Sequence, residues 1–173
     1  KLNLKFLTKI PKVSGETEII FLKQKNFRSN NLKKIGKSIF SSKLFNEQKF
    51  LLKDYDNKSY VFVNCTDSKI SLDFEKLGSK LYVFLQDNKI ESSKIIENHN
   101  YLTNVQLEKI LHGLQLKSYD FSLYKTHKKK DVSINLNLFG NNSKKTNLLR
   151  YKLTALLEGV FLTRDLVSEP GNI

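Results

Sequence analysis

The chain has 173 residues, a net charge of +13 and a pI of about 9.7. Hydrophobic residues make up 39% and charged residues 27%, the balance of an ordinary globular chain. No apolar run approaches the ~20 residues of a membrane span, and no charged-apolar-small signal-peptide pattern opens the chain, while a single cysteine fits a reducing cytoplasm.

The predicted elements follow in chain order. Leu2-Asn3-Leu4-Lys5-Phe6 alternates apolar and polar residues, the period of a strand. Glu18-Ile19-Ile20-Phe21-Leu22 is more continuously apolar, as in a strand covered on both faces. Pro11 and Gly15 mark a turn between them. Leu32, Ile35, Ile39 and Phe40 have helical spacing and predict a helix over residues 30–41. Phe50-Leu51-Leu52 and Tyr60-Val61-Phe62-Val63 flank Tyr55-Asp56-Asn57-Lys58, the pattern of a hairpin.

Ser71 is placed to cap a helix with Asp73 and Glu75 in its first turn, where carboxylates favour the positive end of the dipole. Leu77, Leu81, Phe84 and Leu85 form its apolar stripe, and Asn88 ends it. Residues 93–97 read as a short strand. Thr103 and Gln106 then form a capping box, with Leu102 stapling onto Leu107. Leu107, Ile110, Leu111 and Leu114 are the buried face of that helix. Residues 132–139 alternate as a strand. Asn142 or Ser143 caps a long helix from about Thr146 to Val167, with Leu149, Leu153, Leu156, Leu157 and Val160 inward. Alternating strands and helices with one early hairpin describe an α/β fold with a mixed sheet flanked by helices. Residues 119–130 are the least structured stretch.

The site chemistry is sparse. The seven glycines are too scattered for a G-x-G-x-x-G or P-loop phosphate cradle. His99, His112 and His127 form no metal-ligand pair, and His112 reads as packed or helix-ending. Cys65, the only cysteine, cannot form an internal disulfide, and its apolar neighbours make it a reduced, half-buried strand thiol. The positive charge is almost all lysine, the arginines being Arg28, Arg150 and Arg164. Arginine supplies the bidentate contacts to guanine and phosphate, so sequence-specific nucleic-acid reading is disfavoured. Between Lys117 and Lys152, nine basic residues stand against Asp120 and Asp131, with Tyr119, Phe121 and Tyr124 interleaved. That stretch could hold nucleic acid non-specifically. A solvated connection anchored by its aromatics is the preferred reading.

Two stretches carry a family resemblance. One runs from Gly113-Leu114 through Ser118-Tyr119 and Tyr124-Lys125-Thr126 to Lys128-Lys129-Lys130. The other is the helix Ala155 to Val167, with Gly159-Val160 and Arg164-Asp165-Leu166, followed by Ser168-Glu169-Pro170-Gly171-Asn172. Together, in this order, they resemble the amino-terminal domain of the leucyl (cytosol) aminopeptidases. The first hundred residues match only in the order of strands and helices. The resemblance implies a macro-like domain over residues 1–145, then a connecting helix and the start of a peptidase domain over 146–173. It implies a cytoplasmic parent, a homohexamer, that removes amino-terminal residues from peptides with two divalent metals, zinc or manganese. The family's Asp-Ser-Gly-Gly and Asn-Thr-Asp-Ala-Glu-Gly-Arg signatures are absent from these residues, so no catalytic, metal or cofactor residue is assigned. With no methionine and an end on a helix stop, the chain is expected to be a fragment whose own peptidase domain is its first partner. The alternative is a basic macro-like domain that binds nucleic acid or an ADP-ribose-type ligand.

Overall fold

A computed structural model describes residues 2–9, 15–23, 48–97, 102–120, 132–140 and 143–169, although in the last span the only side chain described before Tyr151 is that of Leu148. The predicted helix over 30–41 lies outside these residues. The strands are β1 (Leu2–Leu7), β2 (Thr17–Leu22), β3 (Phe50–Tyr55), β4 (Lys58–Asn64), β5 (Ser92–Ile96) and β6 (Ile134–Phe139). The helices are α1 (Ser71–Asp87), α2 (Asn104–Lys117) and α3 (Ser143–Ser168). The strands form one sheet in the order β1-β6-β5-β2-β4-β3, all parallel except the β3–β4 pair. The mixed α/β class expected from the alternation of elements is the class observed.

Local chemistry explains the joints. Asp56 and Asn57 both have positive φ, 50° and 57°, which a two-residue hairpin turn requires and which Asp and Asn tolerate. At the start of α1, Ile70 rather than Ser71 holds the cap position. The Asp73 carboxylate accepts hydrogen bonds from the Lys69 and Ile70 amides at 2.9 and 3.1 Å, so the cap comes from inside the helix. At its far end the Ile90 amide donates to the Leu85 carbonyl and the Lys89 amide to Gln86, with Lys89 at φ 54°. That is a Schellman closure, and it brings Ile90 and Leu85 into the same core cluster. The capping box of α2 forms as the sequence predicts: Gln106 N donates to Thr103 Oγ1, and Thr103 N to Gln106 Oε1. Gln86 donates to the Val132 carbonyl at 2.6 Å and accepts from its amide at 3.1 Å, fixing the entry to β6.

One face of the sheet presents Ile19, Phe21, Val61, Val63, Ile95, Ile134, Leu136 and Leu138 to Leu77, Leu81 and Leu85 of α1, to Leu107, Ile110, Leu111 and Leu114 of α2, and to Leu153 and Leu157 of α3. The alternate residues Ile20, Leu22, Phe62, Ile96 and Phe139 are buried on the other face. That face also carries a polar row. The register sets Lys5, Asn137, Lys94, Glu18, Tyr60 and Lys53 side by side across all six strands. Beside it, Glu16 accepts hydrogen bonds from Asn137 and Ser92. Burial and the neighbouring Glu18 charge push the Tyr60 hydroxyl above its ordinary value.

Among the described side chains of helix α3 one departs from its predicted orientation, the side chain of Leu149 lying outside them. Leu153 and Leu157 are buried, but Leu156, expected on the core face, is 54% exposed. The inward face runs instead through Leu153, Leu157 and Arg164, with Val160 and Phe161 half-buried.

Candidate functional site

The two stretches singled out in the sequence meet in the structure. Tyr119 stands just after α2, and Phe161, Arg164 and Asp165 stand near the end of α3. The Tyr119 hydroxyl donates to Asp165 Oδ1 at 2.6 Å. Its ring lies 5.1 Å from the Phe161 ring, centre to centre, and the Arg164 guanidinium sits 5.3 Å from its centre. Arg164 Nη1 also donates to the Leu116 carbonyl at 3.1 Å.

Each contact has a local cause. The last carbonyls of a helix lack intrahelical donors and carry partial negative charge, so a guanidinium is well placed there. Ser118 completes the cap, its hydroxyl donating to the Gln115 carbonyl at 2.7 Å. Desolvation, and then the bond to Asp165, raise the Tyr119 hydroxyl above its ordinary value, so it remains a donor at neutral pH. The result is a clamp that fixes the last turns of α3 against the end of α2. Beside it, Tyr119, Leu156, Gly159, Val160, Thr163 and Val167 line an open, mainly apolar groove of about 860 Å³.

Gly113, which begins the first stretch, has a packing role. A Cβ there would stand 1.9 Å from the Glu75 carbonyl oxygen, and one on Gly78 would stand 1.9 Å from that of Ile110. These two glycines let the backbones of α1 and α2 touch. His112 is half-buried next to this contact, its Nδ1 3.4 Å from Glu75 Oε2, as a packed histidine rather than part of a cluster.

Cys65 is fully buried, its thiol directed at the Val63 carbonyl, and burial pushes its pKa up to about 12. That is the setting of an inert thiol. Among the described residues no group of three His, Cys, Asp or Glu side chains converges as a metal site would require. No helix among them is long and apolar enough to cross a membrane. His99, His127, the lysine run 125–130 and Pro170-Gly171-Asn172 lie outside the described residues.

Periodicity carried no sign of the clamp, because its partners are 46 and 48 residues apart. The polar row was also missed. Its members stand on six different strands, and strand order alone sets them side by side.

No family model matches the chain. It is 30% identical over 150 residues to a probable cytosol aminopeptidase of Treponema denticola, an alignment covering 83% of this chain and 31% of that protein. Its fold superposes on a mutant of tomato leucine aminopeptidase with a TM-score of 0.70 and 12% identity, covering 99% of this chain and 39% of the other. The chain therefore spans about a third of the length of these proteins. Sequence and fold together make this chain a relative of the amino-terminal domain of the leucyl (cytosol) aminopeptidases.

Proposed function

We propose that the chain is the non-catalytic amino-terminal domain of a cytoplasmic leucyl aminopeptidase, with a macro-like body over residues 1–145 and a connector over 146–173. The observation that carries this reading is the clamp. It joins the two stretches that resemble the family, and it acts on the end of the helix that would lead into a peptidase domain. A connector must leave its domain in a fixed direction, and Tyr119, Arg164 and Asp165 hold the last turns of α3 in one.

In this reading the parent protein removes amino-terminal residues from peptides. Two divalent metals, zinc or manganese, would be held by a downstream domain, where they activate water and polarise the scissile carbonyl. The domain's own work is assembly, towards a homohexamer, and control of access to the active sites. A basic domain that binds nucleic acid or an ADP-ribose-type ligand is the weaker reading. The lysine run that prompted it belongs to the stretch that resembles the family.

Reading the gene past Ile173 tests the proposal. The metal-binding signatures should follow in frame, and a stop codon within a few residues would overturn it. The 173 residues alone should not hydrolyse leucine amides with added manganese, whereas the longer polypeptide should.

A further inference from the structure

Strand β3 ends the sheet on one side, and among the described residues it is paired only with β4. Where the pair begins, the Asn64 amide donates to the Lys49 carbonyl at 2.9 Å. Backbone groups alternate in direction along a strand, so Phe50, Leu52 and Asp54 turn their amides and carbonyls away from β4. A row of free main-chain groups of this kind is a template for one more strand.

The same residues face the helices. Phe50 and Leu52 stand opposite Val63 and Val61, which belong to the core on that side of the sheet. The Phe50 ring stacks on that of Phe84 in α1, centres 5.2 Å apart. Beside the stack, Phe50, Val83, Phe84, Lys80 and Lys117 line an open, mainly apolar groove of about 470 Å³, which Ser79 and Asp87 complete. Val83 is 40% exposed and Leu52 38%, so groove and strand edge both present apolar surface to solvent.

The charge around the groove is unevenly used. Lys80 also borders a hollow with Lys49, Lys76, Asp67 and Asp73. Asp67 is taken up by Lys49 at 2.8 Å, and Asp73 by the Lys69 and Ile70 amides. Asp87 is the remaining carboxylate, and among the described residues Lys76, Lys80 and Lys117 have no ion-pair partner.

These features select an occupant. Free main-chain donors and acceptors in alternation select an extended peptide. The groove selects an aliphatic or aromatic side chain, and the unpaired lysines select carboxylates. A second copy would bring its own lysines to the same place, in a chain of net charge +13, and facing like charges oppose pairing. A nucleic acid would answer the lysines through its phosphates but has no strand of alternating amides and carbonyls to lay along β3.

We propose that the free edge of β3 and the groove on α1 together bind an extended acidic segment of another protein, added to the sheet as a strand with an apolar side chain in the groove. The proposal goes beyond the aminopeptidase reading and does not rest on it.

The probe is the end-capped peptide Glu-Val-Glu-Phe-Glu-Val-Glu, titrated into the isotopically labelled 173-residue chain and followed by amide shifts. Binding at about 10–100 µM is expected, with the largest shifts at Phe50, Leu52, Asp54 and Val83. N-methylation of one alternate set of peptide amides should abolish binding while methylation of the other set leaves it, because only one set faces the edge. Lys80→Glu, exposed on α1, should weaken binding about fivefold with unchanged circular dichroism. No binding at about 1 mM overturns the proposal. Equal loss with either methylated peptide overturns the added strand, and shifts centred on another element overturn the site. Displacement of the peptide by equimolar oligothymidylate at physiological salt overturns it in favour of nucleic acid. Dimers of the free chain that the peptide dissociates overturn it in favour of a second copy.

Discussion

Tyr119 and Asp165 are joined by a 2.6 Å hydrogen bond that ties the exit of α2 to the last turns of α3. Arg164 adds a second tie, to the Leu116 carbonyl, and lies against the same tyrosine ring. The contacts are confined to one end of a long helix, whose burial lies further back at Leu153 and Leu157. Their loss should free that end without unfolding the domain. Arg164→Ala is expected to speed amide exchange over residues 160–168 about tenfold, equivalent to ~1.4 kcal/mol of local opening. Tyr119→Phe should act in the same direction. Exchange in β2 and β4 should not change, and equal acceleration there would show that the clamp is a global rather than a local support.

Gly113→Ala and Gly78→Ala should each destabilise the fold by about 1–3 kcal/mol, because an added methyl meets backbone that cannot swing aside. Gly159→Ala is the control. It lies on the same kind of helix with open space around it, and in dilute solution it should stabilise by about 0.5–1 kcal/mol through helix propensity. Urea unfolding followed by circular dichroism reads all three. A neutral Gly113→Ala would mean that α1 and α2 can separate freely.

Elements with local causes were legible in the sequence. The capping box of α2 is written in Thr103 and Gln106, and all four residues predicted for its buried face are buried. The hairpin is written in Asp56-Asn57 between apolar runs. What depends on neighbours was not legible. Glu18 lies beside Lys94 only because β5 pairs with β2, an adjacency set by strand order and not by alternation within either strand. Leu156 was read inward because leucine spacing alone does not show which residue at the margin of a helix face its neighbours leave uncovered. The meeting of Gly113 with Glu75 has no trace in periodicity, and only the resemblance marked Gly113 as notable.

The start of α1 should respond to acid. The Lys69 and Ile70 amides hold the Asp73 carboxyl below its ordinary value of 3.8. A carboxylate whose folded pKa is depressed contributes stability above its unfolded pKa, and that contribution is lost as pH falls through the folded value. Asp73→Asn should therefore lower the melting temperature at pH 7, and the difference from the unaltered chain should shrink as pH falls below the ordinary carboxylate range and the carboxyl takes up its proton. A constant difference across that range would show that the cap works without its charge.

Cys65 makes the opposite prediction at alkaline pH. Burial raises its pKa from 9.0 to about 12, against weaker opposing effects from Lys23, the Leu22 backbone and Lys49. Between those values the folded thiol keeps its proton while the unfolded one has lost it. The unfolded state then binds fewer protons, so stability falls as pH rises, by about 1.4 kcal/mol per pH unit from this group. Tyr60, whose hydroxyl is also raised, adds to the loss above pH 10. Comparison with Cys65→Ala isolates the thiol, since the variant keeps Tyr60 and every lysine. At pH 8 the unaltered chain should be the more stable of the two, because the alanine leaves a cavity. That advantage should shrink steadily between pH 9 and 10.5. Over the same interval native Cys65 should stay unreactive to thiol reagents and react only on unfolding. An advantage that holds constant, or rapid native labelling at pH 9, would show that the thiol ionises inside the fold.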